Sequence, residues 1–297
     1  MDPGDYDEFA YFQENLDEWG LVGPIPPVRR FFVAVDGLRQ LSGLRWGDGE
    51  PAAVLLHGGG QNAHTFDTVA LALARPLLAI DLPGHGHSDA SPFGPAAIED
   101  YASDVIAALE SVAVAPRDLV GMSLGGLVAI ALSDRRPDLV RTLALIDITP
   151  GVTSDKSRHI TDFVNGPATF ASFDEILART LAHNPSRTES SLRRGILHNA
   201  LQRPDGTWVW RHQRHPRAEF AAPDVGDLWD RLGRLTMPVA LVRAMGPGSV
   251  VDDADEAEFR RRLPHGTVVP VPGSGHSVQG DAPLVLARAL ADHWDRG

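Results

Sequence analysis

The chain has 297 residues, 43% of them hydrophobic, which suits one large domain or a domain carrying an insertion. Its 27 basic and 39 acidic side chains leave a formal net charge of −12, which argues against nucleic acid and anionic membrane surfaces as partners. It has no cysteine, which excludes disulfides and thiolate metal sites, and it lacks an apolar run of the ~18 residues that a membrane span needs.

Residues 1–27 read as an acidic lead-in that ends in the cluster Gly23-Pro24-Ile25-Pro26-Pro27. The lead-in lacks the basic and apolar regions of a signal peptide, so a cytoplasmic, globular protein is expected. Val28 to Val35 and Leu38 to Trp46 are strand-like runs joined at Asp36-Gly37, a hairpin signal. Ala52 to Leu56 is a short apolar strand entering His57-Gly58-Gly59-Gly60, and Leu77 to Ile80 is another, entering Asp81-Leu82-Pro83-Gly84-His85-Gly86-His87-Ser88. Ala96 to Val114 has helical spacing, Asp118 to Val120 reads as a buried strand, and Leu124 to Leu132 as a buried helix. Thr142 to Ile146 is a strand ending at Asp147. Residues 151–235 are polar and read as an inserted helical cap. Pro238 to Val242 and Thr267 to Val271 are further strands, and Asp253 to Leu263 and Ala282 to Trp294 further helices. Short apolar strands alternating with helices predict an α/β fold, with a mainly parallel, twisted sheet covered on both faces. Its core would comprise residues 28–150 and 236–297.

Between the Asp118 strand and the Leu124 helix lies Gly121-Met122-Ser123-Leu124-Gly125, a Gly-x-Ser-x-Gly pentapeptide in the strand-turn-helix context of a nucleophile elbow. A strand turning sharply into a helix exposes the central side chain at the helix N-terminus, where backbone N–H groups and the dipole favour negative charge. In open α/β sheets, sites gather beyond the carboxyl ends of strands. His57, Ser123, Asp147 and His276 all fall at such ends.

Four motifs, Leu56-His57-Gly58-Gly59-Gly60, Asp81 to Ser88, Gly121 to Gly126 and Gly273-Ser274-Gly275-His276, resemble in content and order the α/β-hydrolase superfamily over roughly residues 28–295. The resemblance implies Ser123 as nucleophile and His276 as its base, and His57, His85 and His87 as structural supports. It implies an oxyanion hole built from the N–H groups of Leu124 and of Gly59, with Gly60 as the alternative. The acid departs from the common pattern. Relatives carry an Asp in a Gly-x-x-Asp turn after the strand that follows the cap, where this chain has Gly248 or Ser249. Asp147 is the expected acid, as in a subset of small esterases that the chain resembles. Asp252 and Asp253 are the alternatives, though both look like helix-capping residues.

The expected reaction is acyl transfer on a small-molecule carboxylic ester or lactone, without metal or organic cofactor. A C–C bond hydrolase, a cofactor-free perhydrolase and a catalytically silent ligand-binding protein remain alternatives on the same fold. Met122 is expected to touch substrate. Trp208 and Trp210 would line an acyl pocket or anchor the cap. Arg193-Arg194 and the segment Arg211 to Arg217 are expected to form a solvated face rather than to meet an anionic substrate.

Overall fold

The apolar runs pair into one eight-stranded sheet. The computed structural model describes residues 6–91, 97–112, 117–213 and 225–297. The main sheet contains β1 (Val28–Ala34), β2 (Gln40–Trp46), β3 (Ala53–Leu56), β4 (Leu77–Ile80), β5 (Arg117–Met122) and β6 (Val140–Ile146). Three short strands of the insertion, β7 (Thr169–Phe170), β8 (Ala200–Gln202) and β9 (Trp208–Trp210), pair separately in the order β7-β9-β8. The last two, β10 (Val239–Ala244) and β11 (Thr267–Val271), complete the main sheet, whose order is β1-β2-β4-β3-β5-β6-β10-β11. The hairpin β1–β2 and the β2–β4 pair are antiparallel, and all other neighbours are parallel. This is the α/β-hydrolase fold expected from the sequence.

Helices α1 (Phe12–Trp19), α2 (Asp67–Leu73), α3 (Ile98–Val112), α4 (Leu124–Arg135), α5 (Ser154–Val164), α6 (Phe173–His183), α7 (Glu189–Asn199), α8 (Leu228–Arg234), α9 (Asp253–Arg262), α10 (Val278–Asp281) and α11 (Pro283–Trp294) surround the sheet or build the insertion. The central strands are buried on both faces, so alternate residues feed two separate cores. Leu143 and Leu145 of β6 pack towards α3, α4, α8 and α9. Ala144 and Ile146 pack towards α1, α2 and α11. No described helix is long and apolar enough to cross a membrane.

Three features differ from the sequence expectation. The lead-in, placed outside the core by its acidic composition, carries helix α1, which buries Phe12 and Leu16 in the second core. The insertion is not purely helical, since β7–β9 form a small sheet whose Trp208 and Trp210 pack with Phe170 and Ile176. Finally, Leu228 and Leu232 of α8 lie in the main core, one helical turn apart, so α8 belongs with the core although it falls inside the expected cap range. Of the Arg211–Arg217 segment, residues 214–217 lie outside the described residues, as do residues 1–5 of the lead-in and both ends of the expected 96–114 helix.

Candidate active site

The turn from β5 into α4 is possible only because its flanking residues have no side chains. A Cβ on Gly121 would stand 2.4 Å from the Gly125 carbonyl oxygen, and one on Gly125 would stand 2.3 Å from that of Leu56. Ser123 between them holds φ 51° and ψ −119°, a backbone conformation that costs a non-glycine residue about 1–3 kcal/mol. The surroundings hold it there: the Ser123 carbonyl accepts from the Gly126 and Leu127 N–H groups, and the Gly125 N–H donates to the His57 carbonyl. The result is a serine side chain raised at the N-terminus of a 12-residue helix.

Asp147 is the other strained residue at this end of the sheet. It has φ 44° at the tip of β6 and is fully buried. A buried carboxylate needs compensation, and four donors supply it. Oδ1 accepts from the Ala244 N–H at 3.1 Å and the Ser249 hydroxyl at 2.7 Å. Oδ2 accepts from the Val250 N–H at 3.1 Å and from His276 Nδ1 at 2.9 Å. Because a carboxylate only accepts, Nδ1 of His276 carries the proton of the neutral imidazole, which makes Nε2 its accepting nitrogen. Nε2 is buried and has no hydrogen-bond partner among the described residues.

Ser123 and His276 line one cavity of about 620 Å³ between the sheet and the insertion. That size is within the usual range for small-molecule sites. Ile160, Phe163, Ile196 and Trp210 form much of its apolar wall. Met122, buried beneath, also borders it, whereas Trp208 packs edge-on against Phe173 within the insertion. Of the two tryptophans singled out in the sequence, one therefore faces the cavity and the other anchors the insertion.

The loop after β3 lies against the elbow. Among the described residues the N–H groups of Gly59 and Leu124 make no hydrogen bond, while that of Gly60 donates to His85 Nε2 at 3.1 Å. Gly59 is thus the free donor of the glycine pair. His57 supports this loop: its Nδ1–H donates to the Gly58 carbonyl at 2.7 Å and Nε2 accepts the Leu82 N–H at 2.9 Å. Complete burial, with His85 beside it, pushes the His57 pKa down to about 3, so the ring stays neutral. His85 takes the same neutral form, donating from Nδ1 to the Pro83 carbonyl. The N–H of His87 donates to Asp81, which also receives the Arg30 guanidinium at 2.7 Å.

The alternative acids are engaged elsewhere. Asp252 caps α9 in a reciprocal capping box with Asp255, and the side chain of Asp253 is 95% exposed and paired with Arg243. Arg193 and Arg194 do not form the solvated face expected of them, because α1 brings Glu14 and Glu18 against them and buries Arg194.

One cluster had no signal in the sequence. His64, Asp67 and His198 bring ligand-type atoms within 4.8 Å of one another at the cavity wall. The two rings stack 3.8 Å apart, and His64 holds a carboxylate at each nitrogen, Asp67 at 2.9 Å and Glu8 at 3.1 Å. Burial alone would lower the His64 pKa, but the carboxylates of Asp67 and Glu8 raise it to about 9.

The fold is that of an α/β hydrolase. Residues 53–289 match the model of the alpha/beta hydrolase family, and the chain belongs to that family. It is 41% identical over 287 residues to esterase Rv0045c of Mycobacterium tuberculosis, covering 94% of this chain and 93% of that protein. A solved structure of that esterase superposes with a TM-score of 0.86 over 98% of this chain and 99% of its own. The chain is also 28% identical to 2-(acetamidomethylene)succinate hydrolase of Mesorhizobium japonicum, covering 82% of this chain and 88% of the relative. The structure of an E-2-(acetamidomethylene)succinate hydrolase superposes with a TM-score of 0.82 at 25% identity, covering 91% of this chain and 100% of its own.

Proposed function

We propose that this hydrolase cleaves a small carboxylic ester or lactone through Ser123, His276 and Asp147, by way of an acyl-enzyme. The observation that carries the reading is the imidazole of His276. It is fixed through Nδ1–H to a buried carboxylate, its Nε2 has no hydrogen-bond partner among the described residues, and the residue lines the same cavity as Ser123. The similarity to the mycobacterial esterase over nearly the whole chain supports the same reaction class.

In the first half-reaction Ser123 Oγ attacks the ester carbonyl while Nε2 of His276 takes its proton. The carbonyl oxygen becomes an oxyanion that accepts from the N–H groups of Leu124 and Gly59. Asp147 holds the imidazole orientation and offsets its positive charge. The proton passes from Nε2 to the leaving alcohol as the ester C–O bond breaks. In the second half, water attacks the acyl-enzyme and gives a proton to Nε2. That proton returns to Ser123 Oγ as the acid is released. The steps use only these side chains, two backbone N–H groups and water. Met122 lies under the reacting carbonyl as part of the floor.

The test is hydrolysis of p-nitrophenyl esters of increasing acyl length by the wild type and Ser123→Ala. Removing the nucleophile of a Ser–His–Asp unit costs on the order of 10⁶ in kcat. An unchanged rate in a folded Ser123→Ala variant would place the reaction elsewhere.

A further inference from the structure

Among the described residues that line the cavity, one cationic side chain has surroundings that leave most of its donors unused. Arg187 enters from the turn between α6 and α7 and borders the same cavity as Ser123 and His276. Its guanidinium lies against Gly280 of α10, four residues beyond His276. A Cβ at Gly280 would stand 2.7 Å from both Cζ and Nη1. The missing side chain of Gly280 is what lets the guanidinium rest beside the segment that carries His276.

Arginine has five donors in a planar fork. Among the described residues the Arg187 guanidinium makes a single hydrogen bond, from Nη2 to the Ser191 hydroxyl at 2.5 Å. Its Nε is buried without a partner, and among the described residues no carboxylate lies within ion-pair distance. The buried arginines Arg30, Arg194 and Arg243 each hold a carboxylate. The nearest opposite charges, Asp281 and Glu18, act on Arg187 only at longer range, with Arg194 opposing them. Both are already engaged: Asp281 accepts from the Gly275 N–H at 2.9 Å, and Glu18 holds Arg194 and Thr188. Burial lowers the Arg187 pKa, a sign that the charge is desolvated without full repayment.

We infer that Arg187 reads a negative charge on the substrate, so that the preferred substrate is an ester bearing a carboxylate. A carboxylate accepts from a guanidinium through two parallel hydrogen bonds, and it would occupy donors that are otherwise idle at the cavity wall. The inference rests on the esterase reading above and adds the chemical class of its substrate. Arg193 and Arg194, which stand out in the sequence, are neutralised by the glutamates of α1 and do not take this role.

Two matched pairs of esters test it. 4-Nitrophenyl hemiglutarate against 4-nitrophenyl butyrate places the charge on the acyl side, and 4-acetoxybenzoate against phenyl acetate places it on the alcohol side. Arg187→Met keeps the apolar stem and removes the charge; Arg187→Lys keeps the charge and loses the fork. The expected result is a loss of about 10- to 100-fold in kcat/KM on at least one anionic ester for Arg187→Met, mainly through KM. The neutral partner should stay within about twofold, and Arg187→Lys should recover part of the loss. Equal losses on charged and neutral esters would mean that Arg187 merely ties the insertion to α10, and no loss on either would mean no role; each overturns the inference. Calorimetric binding of glutarate to Ser123→Ala, with and without Arg187→Met, reads the anion site without turnover. Arg187-dependent binding in a protein that hydrolyses no ester would sink the esterase reading alone. Hydrolysis with Arg187-independent glutarate binding and no charge preference would sink the inference alone.

Discussion

Replacing Asp147 by Asn should disable the enzyme through the tautomer of His276 rather than through a change of shape. The two side chains are isosteric, but Asp147 accepts from four donors. With the Asn oxygen at the Oδ1 position, the new NH₂ group faces the N–H of Val250 and the Nδ1–H of His276, formerly at 3.1 and 2.9 Å from Oδ2. The backbone N–H cannot change, but the imidazole can: it moves its proton to Nε2 so that Nδ1 accepts from the amide. Turning the amide over puts NH₂ against the N–H of Ala244 instead, so neither orientation is free of a donor–donor contact. In the first orientation the lone pair that should receive the serine proton has gone. A wrong-tautomer histidine costs about 10⁴ in kcat in a serine protease triad, or about 5.4 kcal/mol of barrier. One unsatisfied backbone N–H adds about 1–3 kcal/mol of destabilisation. The assay is kcat on a p-nitrophenyl ester with circular dichroism to verify folding. Asp253→Asn serves as the control, since its exposed ion pair contributes about 1 kcal/mol or less and activity should stay near wild type. A folded Asp147→Asn variant within about tenfold of wild-type kcat would refute the assignment of the acid.

Ser249→Ala removes a 2.7 Å donor to Asp147 and should lower kcat by about 5- to 10-fold, the equivalent of about 1–1.4 kcal/mol or one ordinary net hydrogen bond; unchanged kinetics would show that the backbone donors suffice. In the Asp147→Asn background, Ser249→Asp should restore at least about tenfold of the lost rate if the turn after β10 can host the acid, and no recovery in steady-state kinetics would deny it. The His64 pKa, raised from 6.5 to about 9, means that the folded protein binds a proton that the unfolded chain releases across that window. This contribution to stability is complete below pH 6.5 and lost as pH rises towards 9. Melting temperatures of the wild type should therefore fall more steeply between pH 6.5 and 9 than those of His64→Gln, and parallel curves would contradict the pairing with Asp67 and Glu8. Deleting residues 1–19 removes the buried Phe12 and Leu16, worth about 1.5–3 kcal/mol each, and strips Arg194 of Glu14 and Glu18. Urea denaturation should show a loss of at least about 3 kcal/mol, and a change below about 0.5 kcal/mol would put the segment back outside the core.

What was legible in the sequence was local. The elbow can be read because the crowding that demands Gly121 and Gly125 lies within a few residues of Ser123. The strands can be read because residues buried on both faces are apolar without interruption, as in Leu77–Ile80. The features that escaped depend on partners far away in the chain. Helix α1 has a short apolar stripe of Phe12, Leu16 and Trp19 among acidic neighbours, and its glutamates look solvated until they meet Arg193 and Arg194. The His64–Asp67–His198 cluster spans 134 residues, and no local spacing announces it. Nor does anything around Arg187 reveal that its neighbour across the cavity is a glycine.

The acid shows how a departure from a family pattern can be read physically. β6 and β10 are adjacent parallel strands, with Ile146 beside Val242 in register. Their carboxyl ends therefore open onto the same place, and a carboxylate carried by either strand can reach one imidazole. The turn after β10, where the family pattern puts an Asp at the place of Gly248 or Ser249, is not idle. The Ser249 hydroxyl donates to the carboxylate that has taken up the other strand end. The Ala244 and Val250 N–H groups, which flank that turn, donate to the same carboxylate. The environment that would hold an acid at the end of β10 thus survives as three donors aimed at the end of β6. A carboxylate at both ends would face a like charge at hydrogen-bond distance and lose the Ser249 donor, so the single substitution Ser249→Asp should cost activity even though it puts a carboxylate at the end of β10.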